Sequence, residues 1–333
     1  MFGNACGIAG GGRLCVLYYH RVLAAPDPLQ PDLPDQRRFA RQLAVVARDF
    51  RVLPLAEAVT ALYTGGLPAR AVAISFDDGY ADNLAVAAPV LRHYHCTATV
   101  FVAPAFLDGG IMFNDRVFEA CRRLPPGELD TGLPELGRLR LPADPAGRRA
   151  LARSLIARLK YLPADRRELC AGRLAELAPQ PLPHDLMLRS DDLLRLRQAG
   201  LAIGAHTQSH PILARLDTPT ARAEIVGGRQ RLQAITGEAP ALFAFPNGKP
   251  GRDYLPRDVE LVREAGFSAA FTTVWGSAAA ASDPYQLPRI APWDRDALRF
   301  ALRIAGSYRQ VQRTAPGSTA HLAGAATVER GDA

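Results

Sequence analysis

Apolar positions along this chain follow two rhythms. Short unbroken runs recur at residues 14–19 (LCVLYY), 71–76 (AVAISF), 98–102 (ATVFV), 201–204, 241–245 and 267–272. Each is long enough for one strand buried on both faces. Between them the apolar residues fall three and four apart, as at Phe39, Leu43, Val46 and Ala47, which predicts a helix over 36–49. The same spacing predicts helices from about 55 to 63 and over 83–94, 190–199, 218–236 and 258–265. Pro89 interrupts the second of these near its start. Gly200, Gly237 and Gly266 stand where helices stop, and Asp191 and Asp192 open the helix at 190. A short strand at 51–53, a last strand at 286–290 and a last helix at 295–304 complete the series. Strands separated by helices predict an α/β chain built on a parallel sheet, and no internal repeat is visible.

Residues 107–188 break the rhythm. The segment is rich in Arg, Leu and Pro, has helical spacing at 115–123, 148–161 and 166–177, and offers no barrel strand. It reads as a helical insertion at the strand-end face of one catalytic domain spanning about 13–305. The Gly-rich residues 1–12 read as a disordered start, and 306–333 as a flexible tail.

Bulk properties narrow the picture further. With 333 residues and 48% hydrophobic content the chain can bury a large core. The net charge of +7 comes mostly from Arg scattered through helical segments. No basic run interleaved with aromatics is present, which argues against nucleic acid. An acidic surface or an anionic lipid headgroup stays open as a peripheral contact. Five cysteines (Cys6, Cys15, Cys96, Cys121, Cys170), an odd number without CxxC spacing, argue for a reducing compartment. The first residues lack a signal peptide's basic start and continuous apolar core, and no uninterrupted apolar stretch of about 18 residues occurs. The expectation is a cytoplasmic protein of unstated oligomeric state.

The chemistry concentrates at two strand ends. The 71–76 run stops at Asp77, Asp78 and Gly79. Side-chain alternation relaxes at a strand's end, so two neighbouring carboxylates can face one cavity. Their repulsion raises one pKa unless a cation lies between them. The bland alternative is a turn with a helix N-cap. Downstream, the 201–204 run leads into His206-Thr207-Gln208-Ser209-His210, with imidazoles at i and i+4 that a helical turn or tight loop puts on one face. Two imidazoles and a carboxylate make a metal site with open positions for water and substrate; the alternative is a solvated pair on a loop.

Taken together, Ser75-Phe76-Asp77-Asp78-Gly79 and His206-Thr207-Gln208-Ser209-His210 resemble the first two motifs of the polysaccharide deacetylases, the NodB-homology carbohydrate esterases. The resemblance spans about 14–303. It implies a distorted (β/α) barrel with fewer than eight strands and a metal-dependent N-deacetylase of amino sugars. It implies Asp77 as general base and Asp78, His206 and His210 as ligands of Zn²⁺ or another divalent transition metal. The third motif of that family is usually Arg-x-Pro-x-Gly; here Ala244 replaces the Arg. Pro246, Asn247 and Gly248 keep the turn, whose Asn247 N–H resembles the oxyanion donor. The family's late histidine acid has no counterpart, since His321 lies in the tail. The opening LYYHRV resembles the permuted branch that includes the poly-N-acetylglucosamine deacetylases, which points to His20 as general acid, the alternative being a strand-end histidine bonded to a carbonyl. Arg289, in a late strand-like LPRI, is the candidate substitute partner for Asp77. Asn114, Asp115, Trp293 and Asp294 are candidates for a substrate groove, with capping and surface packing as the alternative. His93, His95 and His184 read as structural or surface residues. A catalytically inactive sugar-binding module and a deacylase of another C–N bond remain as alternative functions.

Overall fold

The computed structural model describes residues 12–310. The expected disordered start, apart from Gly12, and the expected 306–333 tail from 311 onward, with His321, lie outside these residues. At 306–310 the tail expectation is corrected, because the last helix runs to Ser307 and Tyr308 is buried, its hydroxyl donating to the Ala71 carbonyl at 2.8 Å. In chain order the elements are β1 (Arg13–Tyr19), α1 (Gln36–Asp49), β2 (Arg51–Val52), α2 (Leu55–Thr64), β3 (Ala71–Phe76), α3 (Ala88–His93) and β4 (Thr99–Val102). Then come α4 (Phe113–Arg123), β5 (Gly127–Asp130), β6 (Arg138–Leu141), α5 (Pro145–Leu159) and α6 (Ala164–Leu177). The series ends with α7 (Ser190–Gln198), β7 (Ala202–Ala205), α8 (Thr218–Thr236), β8 (Leu242–Ala244), α9 (Pro256–Glu264), β9 (Ala269–Phe271), β10 (Ala278–Ala279) and α10 (Ala297–Ser307).

Two compact units emerge. The first comprises 12–25, 34–108 and 188–310; the second comprises 26–33 and 109–187. In the first unit the strands run in the order β10-β1-β3-β4-β7-β8-β9, with β2 beside β3. From β1 to β9 every pairing is parallel, and β10 lies antiparallel on β1. The sheet curls into a distorted, incomplete (β/α) barrel. Residues 287–290 span its seam: Leu287 makes a parallel bridge to Phe271 of β9, and Ile290 one to Leu17 of β1. The strand expected at 286–290 is therefore corrected to two single bridges, because the segment leaves each neighbour after one pairing and builds no ladder.

Strand alternation sorts the core. Leu14, Val16, Ala71, Ala73, Phe101, Ala244, Phe271 and Leu287 share one buried cluster with α2 residues Leu55, Ala58 and Leu62. Cys15, Leu17, Val72, Ile74, Phe76, Val100, Val102 and Phe243 join the other, against α1, α7, α8 and α9. All six residues of β3 are buried, as expected for a strand covered on both faces. Gly204 of β7 is a packing requirement, since a Cβ there would lie 2.3 Å from the Phe101 ring.

The single helix expected at 83–94 is divided. Residues 83–87 form a π-helical turn in which the Ala88 N–H reaches back to the Asn83 carbonyl, and α3 follows. Pro89 has no N–H and its ring crowds the carbonyl four residues back, so a wider turn before it is the accommodating geometry.

The second unit has its own core of Val117, Phe118, Cys121, Leu139, Leu141, Leu155, Leu159, Cys170 and Leu174. The helical pieces expected within 107–188 are α4, α5 and α6, and among the described residues no strand of the segment joins the barrel sheet. The segment also holds an antiparallel hairpin, β5 with β6, that the helical spacing did not predict. β6 alternates exposed Arg with buried Leu. The Arg148 guanidinium ties α5 to the end of α4 through the carbonyls of Cys121 (2.6 Å) and Leu124 (2.7 Å). No helix among the described residues is long and apolar enough to cross a membrane.

Candidate active site

The period of two that orders the barrel interior also aims the functional side chains. Residues 71, 73, 75 and 77 share one parity on β3, 16, 18 and 20 on β1, 204 and 206 on β7, and 287 and 289 on the seam segment. His20, Asp77, His206 and Arg289 accordingly leave their strands on the face of Val16, Ala73 and Leu287. Asp78 is out of phase by one. It reaches the same cavity because its backbone turns into the left-handed region, φ +76°.

Asp78, His206 and His210 come together so that one ligand atom from each lies within 4.8 Å of the others. The Asp78 Oδ1 is 3.5 Å from His206 Nε2 and 3.4 Å from His210 Nε2. It is buried and accepts no hydrogen bond. A carboxylate oxygen left orphaned between two ring nitrogens fits a cation, so the residues present suit a divalent metal. The His206 Nδ1–H donates to the Ala244 carbonyl at 2.7 Å, which fixes the tautomer and leaves Nε2 as the lone-pair donor. Burial holds the His210 imidazole neutral, with its pKa lowered to about 3. Burial works against charge on Asp78 as well, yet His210 and His206 hold its carboxyl well below the usual range.

Asp77 is 2% exposed and Arg289 fully buried. The guanidinium grips the carboxylate through two bonds, 2.7 Å to Oδ1 and 2.8 Å to Oδ2. Its remaining donors reach the Thr272 carbonyl at 3.0 Å and Ser75 Oγ at 3.2 Å, and its plane lies 4.8 Å from the Tyr18 ring. Burial is the largest influence on the Asp77 carboxyl and pushes it up, but Arg289 and then His206 pull it below the ordinary value. Two adjacent carboxylates thus differ in partner, a guanidinium for one and imidazoles for the other.

His20 is exposed on its side chain to 45%, with Nε2 4.0 Å from Asp78 Oδ2. Its backbone is anchored from the 79–83 turn: Asn83 Nδ2 donates to the His20 carbonyl at 2.8 Å, and Asp82 accepts from Arg21 Nε at 2.8 Å and the Val22 N–H at 3.1 Å. The 246–248 turn follows β8. The Gly248 N–H bonds the Pro246 carbonyl at 2.7 Å, and Thr273 Oγ1 donates to the Asn247 carbonyl at 2.6 Å. Gly248 has φ +71° and a Cβ there would meet the Thr273 nitrogen at 2.7 Å, so the position requires glycine. Asp78, Thr207, His210 and Asn247 all have positive φ. Backbone strain of about 1–3 kcal/mol per residue persists where the surroundings impose it, and it clusters at functional sites.

The groove candidates are distributed differently. Asp294 is engaged by Arg303, whose guanidinium also lies 5.5 Å from the Trp293 ring. Gln42 holds the Asp294 carbonyl at 3.1 Å, and Trp293 is 54% exposed. Asn114 and Asp115 are in α4 of the second unit. His93, His95 and His184 are exposed. The sequence reading missed Glu224, Asp82 and Asn83. The Gly227-Gly228 pair inside α8 was a legible signal of close approach to that helix.

Comparison with known proteins follows the same lines. Residues 64–117 and 172–270 match the family model described as polysaccharide deacetylase, which takes in Asp77, Asp78, His206, His210 and 246–248 but neither His20 nor Arg289. None of the curated proteins matches this chain. Among solved structures it is similar to the Streptococcus pyogenes deacetylase PplD in complex with acetate (18% identity, 84% of this chain and 92% of that one, TM-score 0.56). It is similar also to IcaB from Ammonifex degensii (19%, 90% and 97%, TM-score 0.56) and to a de-N-acetylase from Aggregatibacter actinomycetemcomitans (16%, 84% and 94%, TM-score 0.55). At these identities the structural likeness speaks for the fold alone. The chain belongs to the polysaccharide deacetylase family.

Proposed function

We propose that this protein is a metal-dependent hydrolase that removes N-acetyl groups from amino sugars. The observation that carries the proposal is the orphaned Asp78 Oδ1 between two imidazole nitrogens, next to a second carboxylate held ionised by a guanidinium. Asp78, His206 and His210 would hold the cation, Zn²⁺ being the preferred ion for two imidazoles and a carboxylate, although other divalent transition metals suit the same donors. When bound, such an ion supplies Lewis acidity and compensates the second negative charge beside Asp77.

The chain's own groups do the rest. Asp77, ionised and oriented by Arg289, takes a proton from the attacking water. The Asn247 N–H receives the charge that develops on the carbonyl oxygen. His20, on the open side of the site, protonates the leaving amine. The products are acetate and a free amino sugar. Free cysteines at Cys15, Cys96, Cys121 and Cys170 accord with a cytoplasmic setting, in which small or carrier-linked acyl-amino sugars are the substrates at hand; cell fractionation tests the setting. The proposal is tested by acetate release from a panel of N-acetylhexosamine oligomers and carrier-linked sugars, with and without chelator. Chelator-sensitive release supports it. A pure, folded protein that binds these sugars and releases nothing would instead favour a catalytically inactive module, a reading against which the guanidinium on Asp77 counts.

A further inference from the structure

The 206–210 loop carries two of the three candidate ligands yet belongs to no helix or strand, and two of its residues, Thr207 and His210, are in the left-handed region. Something must hold it. Within the loop, Thr207 Oγ1 accepts the His210 N–H at 3.0 Å. From outside, one side chain does most of the work. Glu224 of α8 accepts the backbone N–H groups of Gln208 (3.0 Å) and Ser209 (2.8 Å) through Oε2, and the Ser209 hydroxyl (2.6 Å) through Oε1. One turn further along α8, Gly228 lets the helix backbone approach so closely that a Cβ would lie 2.5 Å from the Thr207 carbonyl oxygen. Glu224 and Gly228, at i and i+4, therefore form one face of α8 on which the ligand loop is seated.

The geometry points to Glu224 as a positioning residue for the metal centre: by clamping the two peptides between His206 and His210 it sets the distance between their imidazoles before a cation arrives. Three bonds to one carboxylate are charge-assisted and stronger than neutral ones. Neither ligand is touched directly, so the effect passes through the loop backbone. The inference rests on the metal reading above and adds an outer residue that the motif HTQSH does not contain.

The test is the affinity of metal-free full-length protein for Zn²⁺, measured by competition with a chromophoric chelator, together with thermal unfolding of the same metal-free samples. E224A leaves two peptide N–H groups and a hydroxyl without their acceptor, and weakens Zn²⁺ binding by about 10-fold or more, the scale at which outer-shell partners act. E224Q keeps one carbonyl oxygen facing both N–H groups and falls between E224A and the unaltered protein. S209A removes a single bond and weakens binding least. R222A, at an exposed position of α8 whose guanidinium pairs with Glu264 of α9, leaves affinity unchanged. If E224A does not fold, E224Q and S209A still give the ordering. Equal affinities for the unaltered protein, E224Q and S209A would overturn the role of Glu224 while leaving the metal site standing. No Zn²⁺ binding by the unaltered protein would instead overturn the metal reading itself.

Discussion

Replacing Arg289 by Met probes the site through its most deeply buried charge. The guanidinium is fully buried and its partner Asp77 is 2% exposed, so solvent screens neither. Removing one member of such a pair leaves the other uncompensated, at a cost of about 3–5 kcal/mol. The loss must depend on pH. In the unaltered protein the folded Asp77 carboxyl sits below its ordinary value. Its contribution to stability is thus complete above the unfolded value, about 3.9, and disappears as pH falls through the folded value. Without Arg289, burial dominates and the folded value rises above the unfolded one, so the variant suffers a penalty that grows as pH rises from the unfolded value and is complete above the raised folded value. The stability gap between the two proteins therefore keeps widening above about pH 4 and levels off only above the variant's raised value. Urea unfolding at several pH values measures the gap, and D77N in the R289M background recovers much of it by removing the stranded charge. If Asp77 is the base, the acid limb of kcat/KM moves to higher pH in R289M. A gap that stays constant across this range, with an unmoved acid limb, would refute the reasoning.

Other outcomes follow from the same geometry. H20Q, at a side chain 45% exposed, lowers kcat by about 10²- to 10⁴-fold while metal content and melting temperature stay unchanged; loss of metal together with activity would make His20 a ligand-side residue. G228A forces the Thr207 carbonyl away from α8, and differential scanning calorimetry should show a loss of about 1–3 kcal/mol, accompanied by weaker Zn²⁺ binding. N83A leaves the His20 carbonyl without the donor now 2.8 Å away, at a cost of about 1–3 kcal/mol if that carbonyl stays dry; chemical denaturation checks it, and kcat falls with it if His20 is displaced.

Much of this was legible before any coordinates. The helices at 36–49 and 218–236 and the strand at 71–76 emerged with the boundaries their periodicity implied, because long amphipathic faces and unbroken apolar runs leave no competing reading. Asp78, His206 and His210 were legible as well, since each follows a strand of a parallel sheet and such strands deliver their ends to one rim. What escaped is instructive in each case. β10 has two residues, too few for any period. β5 is mostly exposed, so apolar alternation could not mark it. The pairing of Arg289 with Asp77 joins residues 212 apart in the chain, and only the barrel's closure by 287–290 brings them together. Position in a strand-like LPRI could nominate Arg289, but the bidentate grip is a property of the seam. Glu224 was invisible because its partners are backbone N–H groups, which any sequence supplies.

The most direct measurement of the central claim is anomalous diffraction from crystals of the protein loaded with Zn²⁺. The account predicts one strong peak about 2.0–2.2 Å from a carboxylate oxygen of Asp78 and from the Nε2 atoms of His206 and His210, absent from crystals of D78N treated alike. A peak elsewhere, or one that persists in D78N at full height, would contradict it.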